Sequence, residues 1–176
     1  MHALSEQFQQ YGRAWPEEKD VSRFIALLEG GEHRFRRESL EAHFTGSAWL
    51  VSADGQRVLL THHRKLGRWL QLGGHADGDV DLARVALREA EEESGIVGLN
   101  VEATPFDLDR HRIPARGAEP EHWHYDVRYV VRADVSEAFV VSDESHALAW
   151  RSIRDIADDP HSDESLRRMA RKWLRR

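Results

Sequence analysis

Arg88-Glu89-Ala90-Glu91-Glu92-Glu93-Ser94-Gly95-Ile96 places four carboxylates within five residues, directly after an arginine. On a helix Glu89, Glu92 and Glu93 stand at i, i+3 and i+4 and share one face, where like charges repel. The run falls near a helix C-terminus, where the dipole adds further negative potential. A solvated acidic face is the simplest account of such a run. The neighbours favour another one. The preceding helical turns are mostly apolar, and Gly73-Gly74-His75-Ala76-Asp77-Gly78-Asp79, with three glycines in seven residues, leads into them. Hard oxygen donors on a partly enclosed face suit Mg²⁺ or Mn²⁺. Such ions bind through a few carboxylates and otherwise hold waters and substrate phosphates. The chemistry implied is metal-assisted displacement at phosphorus, with one carboxylate left to deprotonate water.

Other polar residues could join this chemistry. His122-x-His124-x-Asp126 has period two, so on a strand the three side chains share a face, with Trp123, Tyr125 and Val127 on the other. Two imidazoles and a carboxylate in that spacing suit zinc or manganese, and equally suit a hydrogen-bonded polar strand face. His75 and Asp77 lie in the glycine loop and stand as phosphate contacts or as loop hydrogen-bonding groups. His62-His63-Arg64-Lys65 and Arg68 form a basic cluster before that loop. Surface solvation is the usual role of such a cluster, and Arg64, Lys65 or Arg68 could instead meet substrate phosphates.

The elements that position these groups follow from periodicity and punctuation. Leu82, Ala83, Val85, Ala86, Leu87 and Ala90 predict a largely buried helix from about Asp79 to Ser94, stopped by Gly95. Before it, HFTGSAWLVS and RVLLTHHR around the turn ADGQ read as a β-hairpin, followed by a short strand at Trp69–Leu72. After it, strands are predicted at about Leu99–Asp109 and His122–Arg132, joined by the loop RHRIPARGAEPE, and a last strand at His146–Trp150. A C-terminal helix from about Asp163 aligns Leu166, Met169, Ala170, Trp173 and Leu174. Its final 14 residues hold six basic and two acidic side chains, read as a docked amphipathic helix with cations at its C-terminal end. In the polar first 40 residues one helix is predicted, Lys19–Glu29, capped by Asp20 and stopped by Gly30-Gly31. Residues 1–41 thus read as a helical extension and 42–176 as one α/β domain, a mixed sheet between helices.

Composition sets the limits. The chain has 176 residues, 25 basic and 31 acidic side chains, a net charge of −6, 11 histidines and no cysteine. Without cysteine there is no disulfide framework, thiolate zinc site, iron–sulfur cluster or cysteine nucleophile. No apolar run reaches the length of about 20 residues that a membrane span needs, and the N-terminus lacks the apolar middle of a signal peptide. The expected location is the cytoplasm, with no membrane partner. The negative balance argues against broad nucleic-acid binding.

Gly74 followed by Arg88-Glu89-Ala90-x-Glu92-Glu93-x-Gly95-Ile96 resembles the box of the Nudix hydrolases, GX5EX7REUXEEXGU, with the required spacing from Gly74 to Arg88. Average residue usage would produce the five fixed residues of its second half on the order of once in a million positions. The motif covers 23 residues, and the strand order around it matches a Nudix-type α/β/α sandwich around a mixed β-sheet. One position departs: Val80 stands where the family has its first glutamate, flanked by Asp79 and Asp81. The loop WLQLGGHADGD also resembles a subgroup with a WLQPGGH-type sequence, Leu72 standing at the proline.

The resemblance implies Mg²⁺-dependent, or Mn²⁺-dependent, hydrolysis of a nucleoside diphosphate linked to another moiety. Glu89, Glu92 and Glu93 would bind the ions, and Glu89 or Glu93 would orient or deprotonate water. Arg88 would hold the glutamates, Gly73 would offer its backbone carbonyl to a metal, and Gly95 would end the helix. His122, His124 and Asp126 would line the pocket, and Glu144 would serve as base or ligand, against a plain turn role. The partner expected is a nucleotide-type small molecule, with a homodimer contact at the N-terminal extension or the C-terminal helix. A different class, a Nudix-like nucleotide-binding or sensor domain without catalysis, is motivated by Val80 and opposed by the intact Glu89, Glu92 and Glu93. A prenyl-diphosphate isomerase on the same fold would need a cysteine and is excluded.

Overall fold

The computed structural model describes residues 1–64, 67–117, 119–141 and 145–176. An eight-stranded mixed sheet is built around β1 (Ala42–Ser52), every residue of which is buried. β1 runs parallel to β7 (His122–Ala133) along its whole length, from Ala42 beside Trp123 to Ser52 beside Ala133. On its other edge it pairs antiparallel with β4 (Leu72–His75), Thr45 against His75 and Ser47 against Gly73.

The predicted hairpin is present as a connection more than as a ladder. β1 and β2 (Arg57–His63) meet at Val51 and Val58 around the Gly55 turn, and then diverge. β2 instead pairs with β8 (Ser145–Ser152) from Arg57 to His63, and with the two-residue β3 (Trp69–Leu70). The strand predicted over Leu99–Asp109 is two pieces, β5 (Asn100–Val101) and β6 (Asp107–Ile113), both antiparallel to β7. Pro105 lies in the gap, where a residue without an N–H cannot extend the ladder. The loop predicted from Arg110 begins only after Ile113, because Arg110 lies over the Trp123 ring, 3.9 Å from its centroid, and keeps the strand pair going.

Period two sends alternate β1 side chains to opposite faces. Phe44, Ala48 and Leu50 face α3 (Leu82–Ser94), and Gly46 is where that helix comes closest, a Cβ there lying 3.0 Å from the Leu82 carbonyl. Trp49 and Val51 face α4 (Ile153–Asp158) and α5 (Glu164–Trp173) in a second apolar cluster. These two layers and the sheet between them are the predicted α/β/α arrangement.

The N-terminal segment holds more structure than its polarity suggests. Besides α2 (Val21–Glu29) there is α1 (His2–Ala14), which the sequence reading missed because only Leu4, Phe8 and Tyr11 form its buried stripe. Phe8, Phe24 and Phe35 pack on Phe44, and Phe24 also meets Tyr125 edge-on, its ring centre 5.0 Å away. The C-terminal helix differs in detail from expectation. Leu174 lies past its end and is exposed, and two of its cations turn inward. Arg168 and Lys172 reach the fully buried Asp107 at 2.7 and 2.6 Å, and Arg128 joins them at 3.1 Å. No helix among the described residues is long and apolar enough to cross a membrane.

Candidate active site

The helix that carries the carboxylates is punctuated at both ends. Asp81 caps it, its side chain accepting from the Arg84 N–H at 3.1 Å, so regular helix begins at Leu82 and the predicted start at Asp79 is three residues early. Asp79 lies in the preceding loop and takes a two-pronged bond from Arg84, 2.8 and 2.7 Å, which holds its carboxyl below the ordinary range. At the far end Gly95 adopts a left-handed conformation, φ 68°, and donates to the Glu91 carbonyl at 2.8 Å.

The last turns of α3 lie against β4, and three contacts join them. The Gly73 N–H donates to Glu93 Oε1 at 2.9 Å. Arg88 Nη2 donates both to the His75 carbonyl at 3.0 Å and to Glu89 Oε1 at 2.8 Å, so one guanidinium bridges loop and helix. Its Nε lies 4.0 Å from Glu92 Oε1. The side chains grade from enclosed to open: that of Glu89 is 17% exposed and that of Glu92 65%. Glu89, Glu92, Glu93 and Arg88 are thus brought together beside Gly73.

The two glycines are required by different neighbours. At Gly74 a Cβ would stand 2.6 Å from Cδ of Glu89, so a side chain there would evict that carboxylate. At Gly73 a Cβ would stand 2.7 Å from Cα of Ser47, so packing against β1 already demands glycine there. Carboxylates gathered beside a residue that leaves room for them are a hard-oxygen set that fits a divalent cation such as Mg²⁺.

The remaining sequence-predicted residues are distributed differently. Asp77, in a left-handed conformation, is clamped by Arg37 Nε and Nη2 at 2.9 Å each. Val80 is exposed at the approach to α3, in a shallow groove beside Leu4 and Gln7 of α1. Arg64 is exposed past β2. Arg68 pairs with Asp163 at 3.4 Å at the start of α5, beside a cavity of about 420 Å³ lined also by Trp69, Arg151 and His161. Glu144 and Lys65 lie outside the described residues.

On the sheet face away from α3, β7 presents His122, His124 and Asp126 as period two predicts, but Asp126 is not grouped with the imidazoles. Its carboxylate accepts from Thr45 at 2.9 Å, Ser47 at 2.7 Å, Gln71 at 3.3 Å and Arg128 at 2.8 Å, which saturates it as a structural acceptor. The two histidines instead meet His43 of β1 and His75 of β4. Burial, followed by the charge of Arg37 and the neighbouring His43, pushes the His75 imidazole down to about 4. Burial and the surrounding imidazoles likewise hold His124 well below the ordinary range. Sequence reasoning missed His43, Thr45, Ser47 and Gln71. The only signal of His43, Thr45 and Ser47 is period two on a strand, which acquires meaning once the β1–β7 register is known, and Gln71, between β3 and β4, has none.

The NUDIX domain profile matches residues 43–173 of this chain. Among solved structures, the Escherichia coli dihydroneopterin triphosphate pyrophosphohydrolase superposes with a TM-score of 0.59 at 16% identity, over 76% of this chain and 96% of that one. An Ap4A hydrolase from Caenorhabditis elegans gives 0.57 at 15% identity, over 75% and 95%. A NUDIX-family hydrolase from Clostridium perfringens gives 0.56 at 21% identity, over 75% and 96%. No curated protein matches the chain at a significant level. The chain belongs to the Nudix family. The reaction class expected from the sequence, hydrolysis at a pyrophosphate bond, is the class to which that family's hydrolases belong.

Proposed function

We propose that the protein is a Mg²⁺-dependent hydrolase that cleaves the pyrophosphate bond of a nucleoside diphosphate linked to another moiety, as in a nucleotide sugar, a dinucleotide or a nucleoside triphosphate. The observation that carries this reading is the joint between α3 and β4: Arg88 tied to both Glu89 and the His75 carbonyl, and Glu93 tied to the Gly73 N–H. These bonds hold three carboxylates and a backbone edge in fixed relation before substrate arrives, which is the preorganisation that charge stabilisation at phosphorus requires.

Each residue has a part. Glu89, Glu92 and Glu93, with the Gly73 carbonyl, would hold the divalent ions. Bound ions would offset the charge that develops on the phosphoryl oxygens. Glu89 or Glu93 accepts the proton of the attacking water, and Arg88 keeps Glu89 aimed while neutralising part of the helix-end charge. A guanidinium does this through a planar fork that an ammonium lacks. Val80 supports a second reading, a nucleotide-binding domain that retains the ligand without cleaving it.

A panel of nucleotide sugars, dinucleotides and nucleoside triphosphates, assayed with Mg²⁺ and with Mn²⁺, tests the proposal. Release of phosphate-containing product from one class, dependent on the ion, is the expected result. Calorimetric binding of ADP-ribose with no turnover of any panel member would establish the binding domain instead.

A further inference from the structure

The imidazoles on the far face of the sheet form a constellation that the carboxylate chemistry does not use. His43, His75 and His124 come from the three adjacent strands β1, β4 and β7, with His43 in register with His124 and Thr45 with His75. Their ring centres lie 5.2 Å (His43–His75), 4.8 Å (His43–His124) and 5.1 Å (His75–His124) apart, a nearly equilateral triangle. One nitrogen from each ring lies within 4.8 Å of the other two.

Hydrogen bonding sets the tautomers. His43 Nδ1 is 3.2 Å from the Ser39 carbonyl, which can only accept, so Nδ1 carries the proton and Nε2 presents its lone pair. His43 is 1% exposed, and its Nε2 is a buried nitrogen with no hydrogen-bond partner. A ring whose N–H is tied to a backbone carbonyl and whose other nitrogen is left for a ligand is the usual arrangement of a metal-binding histidine. His122 orients its neighbour instead: its Nδ1 donates to the Pro120 carbonyl at 2.9 Å, so its Nε2 accepts from His124 Nε2 at 3.1 Å and leaves His124 Nδ1 as the nitrogen with the lone pair.

The three ligands are imidazoles. Of the carboxylates nearby, Asp126 is consumed by its four hydrogen bonds and Asp77 by Arg37, while Glu119 stands outside the triangle, 3.8 Å from His122 Nε2. Imidazole donors without oxygen disfavour Mg²⁺ and Ca²⁺ and select borderline ions. We propose that His43, His75 and His124 form a second metal site, for Zn²⁺ or a similar transition-metal ion, on the opposite face of the sheet from the carboxylate helix. Zinc–nitrogen bonds of about 2.0–2.1 Å in tetrahedral geometry bring nitrogens to about 3.3 Å, so side-chain rotations on the order of 1 Å close the set. Three protein ligands leave a fourth position for water or a bound molecule. The ion would also steady β4 at His75, whose carbonyl holds Arg88.

The test is Zn²⁺ binding to chelator-stripped, tag-free full-length protein, with Co²⁺ as the spectroscopic probe. One equivalent of Zn²⁺ binds, Co²⁺ gives the visible bands of a tetrahedral nitrogen site, and Zn²⁺ raises the thermal midpoint. His75→Asn and His124→Asn each weaken Zn²⁺ binding by more than the about 10- to 100-fold typical of losing a supporting residue. His75 is only half-buried, so its variant separates loss of binding from loss of fold, which the unfolding midpoint without metal checks. His2→Asn keeps the wild-type affinity. Absence of binding at micromolar Zn²⁺, affinity unchanged in both histidine variants, or equal loss in His2→Asn would overturn the proposal.

Discussion

The Gly73 N–H and Glu93 Oε1, 2.9 Å apart, join the strand before the glycine loop to the last turn of the carboxylate helix. Twenty residues separate them in sequence, and the loop and three helical turns between them exist to close that distance. With the Arg88 bridge from Glu89 to the His75 carbonyl, this bond makes the site one rigid unit.

Crowding at Gly74 tests that unit from the loop side. In Gly74→Ala the new methyl meets Cδ of Glu89 at 2.6 Å and displaces the carboxylate. A misplacement of about 1 Å at a reacting centre costs about 100-fold in rate. Steady-state kinetics should show kcat falling by that order while the thermal midpoint moves little; an unchanged kcat would mean that Glu89 is not positioned by this contact.

Arg88→Lys tests the bridge itself. Lysine keeps the charge but cannot bind the His75 carbonyl and Glu89 with one planar group. The expected loss is roughly 10- to 100-fold in kcat, with the Mg²⁺ concentration for half-maximal activity raised. A loss confined to KM would assign Arg88 to substrate contact instead.

Asp107 tests the buried charge network. It sits fully buried among Arg128, Arg168 and Lys172. Removing one partner leaves buried charge uncompensated, so Asp107→Ala should lose about 3–5 kcal/mol in urea unfolding. A change below about 1 kcal/mol would show that water reaches the arginines.

The same network sets an acid limit. Burial would raise the Asp107 carboxyl, but the Arg168 hydrogen bond and the charges of Arg128, Arg168 and Lys172 outweigh it and hold it below the ordinary range. Asp109 is depressed in the same way, burial being outweighed by the Arg128 charge and the His111 and Arg168 bonds. A carboxylate depressed in the folded state contributes stability above its unfolded value, about 4, and loses it as pH falls below. The difference in unfolding free energy between wild type and Asp109→Asn should therefore be constant from about pH 7 to 5 and shrink below about pH 4. A difference that grows in acid would reverse the sign of the linkage.

How much of this was legible depended on how local the signal is. Helix α3 and its carboxylates could be read because periodicity, the Gly95 stop and the Arg88–Glu93 spacing all lie within one short stretch, while its start, placed by the Asp81 cap, could not. Helix α1 was not, since Leu4, Phe8 and Tyr11 become a pattern only against the aromatic cluster of Phe24, Phe35 and Phe44. The inward turn of Arg168 and Lys172 depends on Asp107, some 60 residues earlier, and nothing in a basic helix announces it. His122 and His124 were recognised by alternation, yet their partners are His43 and His75 from strands that only the register brings alongside, and Asp126 was drawn off by Thr45, Ser47, Gln71 and Arg128.

Glu92 offers the most direct measurement, because its side chain is the most exposed of the three and its replacement disturbs packing least. Single-turnover hydrolysis of the best panel substrate by Glu92→Gln at saturating Mg²⁺ should be slower than wild type by roughly 100- to 1000-fold, with an unchanged unfolding midpoint. A folded Glu92→Gln protein that turns over at the wild-type rate would contradict the assignment of these carboxylates to the reaction.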